Sequence, residues 1–113
     1  MKEYNMRVEI SGYDASKSKA ILDTFSEDWE LNEWYECEGQ LNLTADGILV
    51  TARESEKDIA KRLSIAVWTA NGKYCEVSVD IEDTDIDPYT TYSLDEADFK
   101  RLKIGKIIHE LKA

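Results

Sequence analysis

The densest run of potential metal ligands in the chain is Asp80-Ile-Glu-Asp-Thr-Asp-Ile-Asp87. Hard cations such as calcium take several carboxylate oxygens from a bendable loop, so this is the first segment to test for one. With Asp83 as first ligand, Asp85 falls third and Asp87 fifth, as a calcium loop requires. The sixth position needs glycine for a sharp turn and holds Pro88, and the twelfth needs a bidentate glutamate and holds Leu94. Specific calcium binding is therefore not expected, and no metal is assigned. The segment reads instead as a solvated loop or as an acidic edge that meets a protein.

Other chemistries each lack a component. Nucleophilic hydrolysis needs Ser or Cys beside a general base that a third group orients. The single histidine, His109, sits in a lysine-rich tail, and no G-x-S-x-G occurs. Gly12, Gly39, Gly47, Gly72 and Gly105 are all isolated, so no glycine-rich phosphate cradle forms. Cys37 and Cys75 have no zinc-ligand spacing and read as small core thiols, kept reduced in the cytosol. A carboxylate acid–base pair is defined by geometry, which spacing does not reveal. No catalytic residue and no cofactor is assigned, and the chain is read as a non-enzyme.

The charge is more telling. The net charge is −10 over 113 residues, and its distribution is uneven. From Ala20 to Ala52 the acids Asp23, Glu27, Asp28, Glu30, Glu33, Glu36, Glu38 and Asp46 meet no Lys or Arg. From Tyr74 to Phe99 the acids Glu76, Asp80, Glu82, Asp83, Asp85, Asp87, Asp95, Glu96 and Asp98 again meet none. Lys100, Arg101, Lys103, Lys106 and Lys112 crowd the C-terminal end. Acidic faces repel phosphate backbones and anionic membranes, so direct nucleic-acid or membrane binding is disfavoured and a basic protein surface is favoured. The bland rival is that the acids only solubilise the fold. Large aromatics lie in or beside the acidic windows: Trp29, Trp34, Tyr35, Tyr89 and Tyr92. Such rings carry much of the energy of protein interfaces. The partner-binding set expected from this is Asp80, Glu82, Asp83, Asp85, Asp87, Tyr89, Tyr92, Trp34, Tyr35, Glu33 and Glu36, with Tyr89 and Tyr92 the most exposed rings.

Several elements must position these residues. Tyr4, Met6, Val8 and Ile10 alternate with polar residues at the period of a half-buried strand. After Gly12, Asp14 or Ser16 can cap a helix with Ile21, Phe25 and Trp29 on one stripe and Leu22 alongside. From Trp34 to Ala52 the texture is β, with two hairpin registers open: a turn at Asp46-Gly47, or one near Gly39 pairing Trp34 to Cys37 with Gln40 to Ala45. Ser55 caps a second helix whose apolar face holds Ile59, Leu63, Ala66, Val67 and Ala70, and Asn71-Gly72 closes it. Cys75, Val77, Val79 and Ile81 alternate with acids and serine as a second clear strand. The stretch DTDIDPYTTY reads as irregular, and Ser93 with Glu96 has the capping-box spacing for a third helix containing Leu94, Ala97, Phe99 and Leu102.

The order predicts an α+β fold: a split βαβ, ferredoxin-like β-α-β-β-α-β sheet with helices on one face and a C-terminal helical tail. Residues 1–92 are read as a single domain, and 93–113 as a helical extension packed on it or appended to it. Large apolar residues shared between helices and strands predict one core for Ile21, Phe25, Ile59, Leu63, Val67, Val77 and Val79. The start of the chain has no signal-peptide pattern, and the expected location is cytoplasmic. The leading functional expectation is a non-catalytic acidic module that binds a basic protein surface. One version is a decoy imitating nucleic-acid charge, in the manner of small anti-restriction and anti-CRISPR inhibitors. The rival expectations are a structural or homo-oligomerising domain, and a small enzyme or divalent-metal-binding domain.

Overall fold

Polar and apolar residues alternate along β1, Lys2–Ser11, and this strand becomes the centre of a five-stranded antiparallel sheet in the computed structural model. The structure describes residues 2–37, 39, 41–51, 54–83, 86–104 and 106, with the backbone alone described at residues 2, 27, 28 and 86–89. A 3-10 turn over Ala15–Lys17 leads into α1, Ser18–Asp28. Then follow β2 (Glu30–Cys37), β3 (Asn42–Thr51), α2 (Glu56–Asn71), β4 (Glu76–Asp83), β5 (Ile86–Leu94) and α3 (Glu96–Arg101). The strands lie in the order β2-β3-β1-β4-β5, each antiparallel to its neighbour.

The fold is thus α+β, but with five strands where the sequence marked four. The extra strand is β5, formed by the segment expected to be irregular; its Pro88 falls on an edge strand where the β4–β5 register shifts between Ile81 and Asp83, a place where a sheet accommodates proline. The hairpin question is settled in favour of the turn near Gly39: β2 and β3 pair from Cys37↔Asn42 inward. Asp46-Gly47 lies in the middle of β3, opposite Arg7 and Met6 of β1. Among the described glycines positive φ belongs to Gly12 and Gly72, so Gly47 makes no left-handed turn. It is small because the Trp29 indole at the end of α1 lies against it: an added Cβ would stand 2.6 Å from two ring carbons and 2.3 Å from the Glu30 carbonyl oxygen.

Both long helices cover the same face of the sheet. Asp14 caps the 3-10 turn by accepting from the Ser16 amide, and Ser55 caps α2 by accepting from the Asp58 amide. Gly72, at φ 80°, closes α2 in the left-handed conformation that glycine enters without a Cβ clash. All seven residues expected to share a core are buried in one apolar cluster, together with Tyr4, Met6, Val8 and Ile10 of β1. The third helix starts two residues later than its sequence signal. Asp95 and Asp98 form the capping box, while Ser93 and Leu94 still belong to β5. Within α3, Phe99 packs edge-on against Trp68 of α2, with ring centroids 5.3 Å apart.

The two cysteines part company. Cys75 is buried, as a core thiol should be, but Cys37 is exposed on the edge strand β2, contrary to expectation. Burial pushes the Cys75 thiol up from 9.0 to about 12. At pH 8 an aromatic disulfide reagent should therefore titrate one thiol per native chain rapidly, and both only in denaturant. Two fast thiols in the native protein would show that Cys75 is not enclosed. Because the raised value favours the protonated folded state, this group's stabilisation is complete below about pH 9 and is lost as the pH climbs toward 12.

Candidate interaction surface

An antiparallel sheet can leave one face to water, and this one does. Alternation sends Tyr4, Met6, Val8 and Ile10 under the helices, so Glu3, Asn5, Arg7 and Glu9 point to the other side and are exposed. Cross-strand register then aligns the open face in rows. One row runs across all five strands as Glu33, Asp46, Arg7, Asp80 and Thr91. On one side of it lie Tyr35, Thr44, Glu9, Ser78 and Ser93, and on the other Glu30, Ile48, Asn5 and Glu82. The carboxylates of the face are Glu3, Glu9, Glu30, Glu33, Asp46, Glu76, Asp80 and Glu82; among the described side chains of these rows, Arg7 is the one cation.

Arg7 is held in place. Its Nε donates to Asp46 Oδ1 at 2.8 Å and its Nη2 to Asp46 Oδ2 at 3.3 Å, which raises the guanidinium pKa further. Asp80, on the opposite flank, accepts the Thr91 hydroxyl at 2.6 Å. An open depression on this face is lined by Asn5, Arg7, Asn32, Asp46, Asp80 and Glu82. A second lies beside Glu9, Ser11, Glu76, Ser78 and Ser93. Both are open to solvent. Among the described residues, no group of three or more His, Cys, Asp or Glu side chains is placed to hold a metal ion.

A bulge decides which residues of β2 join the face. The register shifts between Leu31 and Glu33, leaving Asn32 as an extra residue. One inserted residue flips the parity of everything after it, so Glu33, Tyr35 and Cys37 come to the open side, while Trp34 and Glu36 turn to the helix side. There Glu36 accepts a hydrogen bond from the buried Tyr13 hydroxyl. Trp34 and Tyr35 stand on opposite faces of the edge strand β2 and are both exposed, at 50% and 57%.

The expected binding set is therefore dispersed. Asp80, Glu82, Glu33 and Tyr35 share the open face. Glu36 and Trp34 do not, lying on the other side of the same strand. Asp83 is not on the exposed face expected of it: β4 continues through it in the same alternation as Val77, Val79 and Ile81, and it is buried, 5% exposed. Tyr92 is not on it either. It pairs with Val79 on the helix side and packs half-buried against the core, its hydroxyl donating to Glu56 Oε1 at 3.4 Å. Loss of water around the Tyr92 phenol, with Glu56 beside it, raises its pKa. Asp85 lies outside the described residues, and of Asp87 and Tyr89 only the backbone, in β5, is described. His109 lies outside the described residues too.

Arg7, Glu9, Asp46 and Glu76 belong to the face without having been singled out. Their alternation was visible in the sequence, but nothing in a period of two says whether the polar side of a strand is uncovered. Among the described residues no helix is long and apolar enough to cross a membrane. Comparison of the chain with protein-family models, with curated proteins and with solved structures gives no match.

Proposed function

We propose that the protein is a non-catalytic interaction module whose uncovered sheet face engages a basic surface on a partner protein. The observation that carries this reading is the composition of that face: eight carboxylates spread over β1 to β4, with Arg7 already paired to Asp46. Fields of one sign speed the encounter with an oppositely charged partner, and Tyr35 at the margin adds an exposed ring of the kind that anchors interfaces. Standing in for a phosphate backbone in a nucleic-acid-binding groove is one form such a contact takes. The site of action in this reading is the cytoplasm. For the fold, the order β2-β3-β1-β4, with α1 and α2 on one face, supports a split βαβ sheet extended by β5.

The variant Glu9→Gln/Asp80→Asn/Glu82→Gln tests the reading. Asn at position 80 can still accept the Thr91 hydroxyl, and relief of crowded like charge should leave the denaturant midpoint unchanged or slightly raised. Immobilised wild-type protein should retain basic proteins from cell lysate at low salt and release them at high salt. The variant should retain less and show a shallower salt dependence, mainly through a slower on-rate. Equal recovery by both proteins at every salt concentration would remove the open face from consideration.

A further inference from the structure

The sheet has two edges, and they are not equivalent. Along β5, Pro88 has no N–H to offer, a common way of blunting an edge against further pairing. Along β2 there is no proline and no lysine. Among the described residues β2 pairs with β3 alone, so the alternate N–H and C=O groups of its far side meet no strand. From Glu33 to Cys37 the ladder is regular, beyond the bulge. The same segment exposes Trp34 on one side and Tyr35 on the other.

Charge decides what such an edge accepts. Glu30, Glu33 and Glu36 are the ionisable residues of β2 besides Tyr35 and Cys37, and among the described residues none of the three carboxylates forms an ion pair with a Lys or Arg. A second copy of β2 would bring three more carboxylates and no Lys or Arg to the contact, adding like charge to like. A strand carrying Lys or Arg opposite Glu30 and Glu33, and apolar residues beside Trp34, meets complementary charge and an aromatic contact.

We propose that the edge of β2 takes an extended segment of a partner protein, with Lys or Arg alternating with apolar residues, as a sixth strand. The inference rests on the acidic-face reading and sharpens it. Main-chain hydrogen bonds supply affinity, and the carboxylates of the open face select the cationic strand.

The test uses the full chain, labelled with 15N, and a short synthetic peptide of alternating Lys and Val. A second peptide has the same sequence with every backbone amide N-methylated, which keeps its charge and removes its donors. The unmodified peptide should bind at low salt, shift the amide resonances of Glu33 to Cys37 and slow hydrogen exchange there. The methylated peptide should bind weaker by roughly tenfold or more. Equal binding of both, with the largest shifts at Asn5, Asp80 and Glu82, would overturn strand addition and leave the acidic-face reading standing. Failure of both peptides to bind at low salt would overturn the two together.

Discussion

Replacing Trp68 with alanine should lower the stability of the fold by about 3 to 5 kcal/mol, the range for removing a large aromatic side chain from a core. Trp68 is fully buried, and its ring forms a three-ring cluster with two others: the Tyr74 centroid is 5.8 Å away, that of Phe99 5.3 Å, and Tyr74 and Phe99 lie 5.8 Å from each other. It also carries a polar tip whose indole N–H donates to the Cys75 carbonyl at 2.9 Å. Three segments meet at this one side chain: α2, the connection into β4, and α3. Alanine would leave a cavity, free a buried carbonyl and detach the packing surface of Phe99 at once. Trp68→Phe separates these effects, since it retains a ring but removes the donor; it should lose about 1 to 3 kcal/mol, the usual penalty for a buried polar group left unpaired. Urea melts followed by circular dichroism measure both, and hydrogen exchange in α3 should accelerate in the alanine variant. A loss for Trp68→Ala below about 1 kcal/mol would mean that the ring is not enclosed as described.

Gly47→Ala should lower stability by about 1 to 3 kcal/mol, the ordinary effect of forcing a methyl group into a packed site. The reason is space and not backbone freedom, because the position lacks a positive φ. The new Cβ would fall 2.3 Å from the Glu30 backbone oxygen, an obstacle that moves only with β2, and 2.6 Å from the Trp29 ring. Relief requires either that β2 separate from β3 or that the indole leave its place beneath α1. In a Trp34→Phe background, where the enclosed Trp68 is the other emitter, a Trp29 indole displaced into water should shift the emission to the red. The single variant Trp29→Ala will itself be destabilising, but adding Gly47→Ala to it should cost less than in the wild-type background. Strictly additive losses in that double-mutant cycle would show that the two residues do not press on one another.

The core and the solvated side of the central strands were legible from spacing alone. A period of two in Tyr4 to Ile10 and in Val77 to Ile81, and a period near 3.6 in Ile21 to Trp29 and Ile59 to Val67, both report which side of an element is apolar. That property belongs to each segment and needs no partner to be defined. The caps at Ser55 and Gly72 were equally local, since each depends on a side chain or a φ angle within a few residues of the helix end. Trp68 was not legible, because it lies one residue off the Ile59, Leu63 and Val67 stripe, and what buries it is Tyr74 and Phe99 arriving from elsewhere in the chain.

Tertiary structure alone decided the rest, and in each case the cause is non-local. Asp46-Gly47 has the composition of a tight turn, yet pairing with β1 on one side and β2 on the other, with Trp29 above, holds it extended. A single extra residue at Asn32 set the parity of Glu33 to Cys37, a shift that leaves no mark in composition. Asp83 and Tyr92 read as surface residues by type, but the continuing alternation of β4 and β5 turned both toward the helices. The open acidic face exists because α1 and α2 pack on the same side of the sheet. Amino-acid type and periodicity determined which side of each strand is polar; only the placement of both helices determined that the polar sides of β1 to β4 merge into one uncovered surface, since that depends on how segments far apart in the chain share a single core.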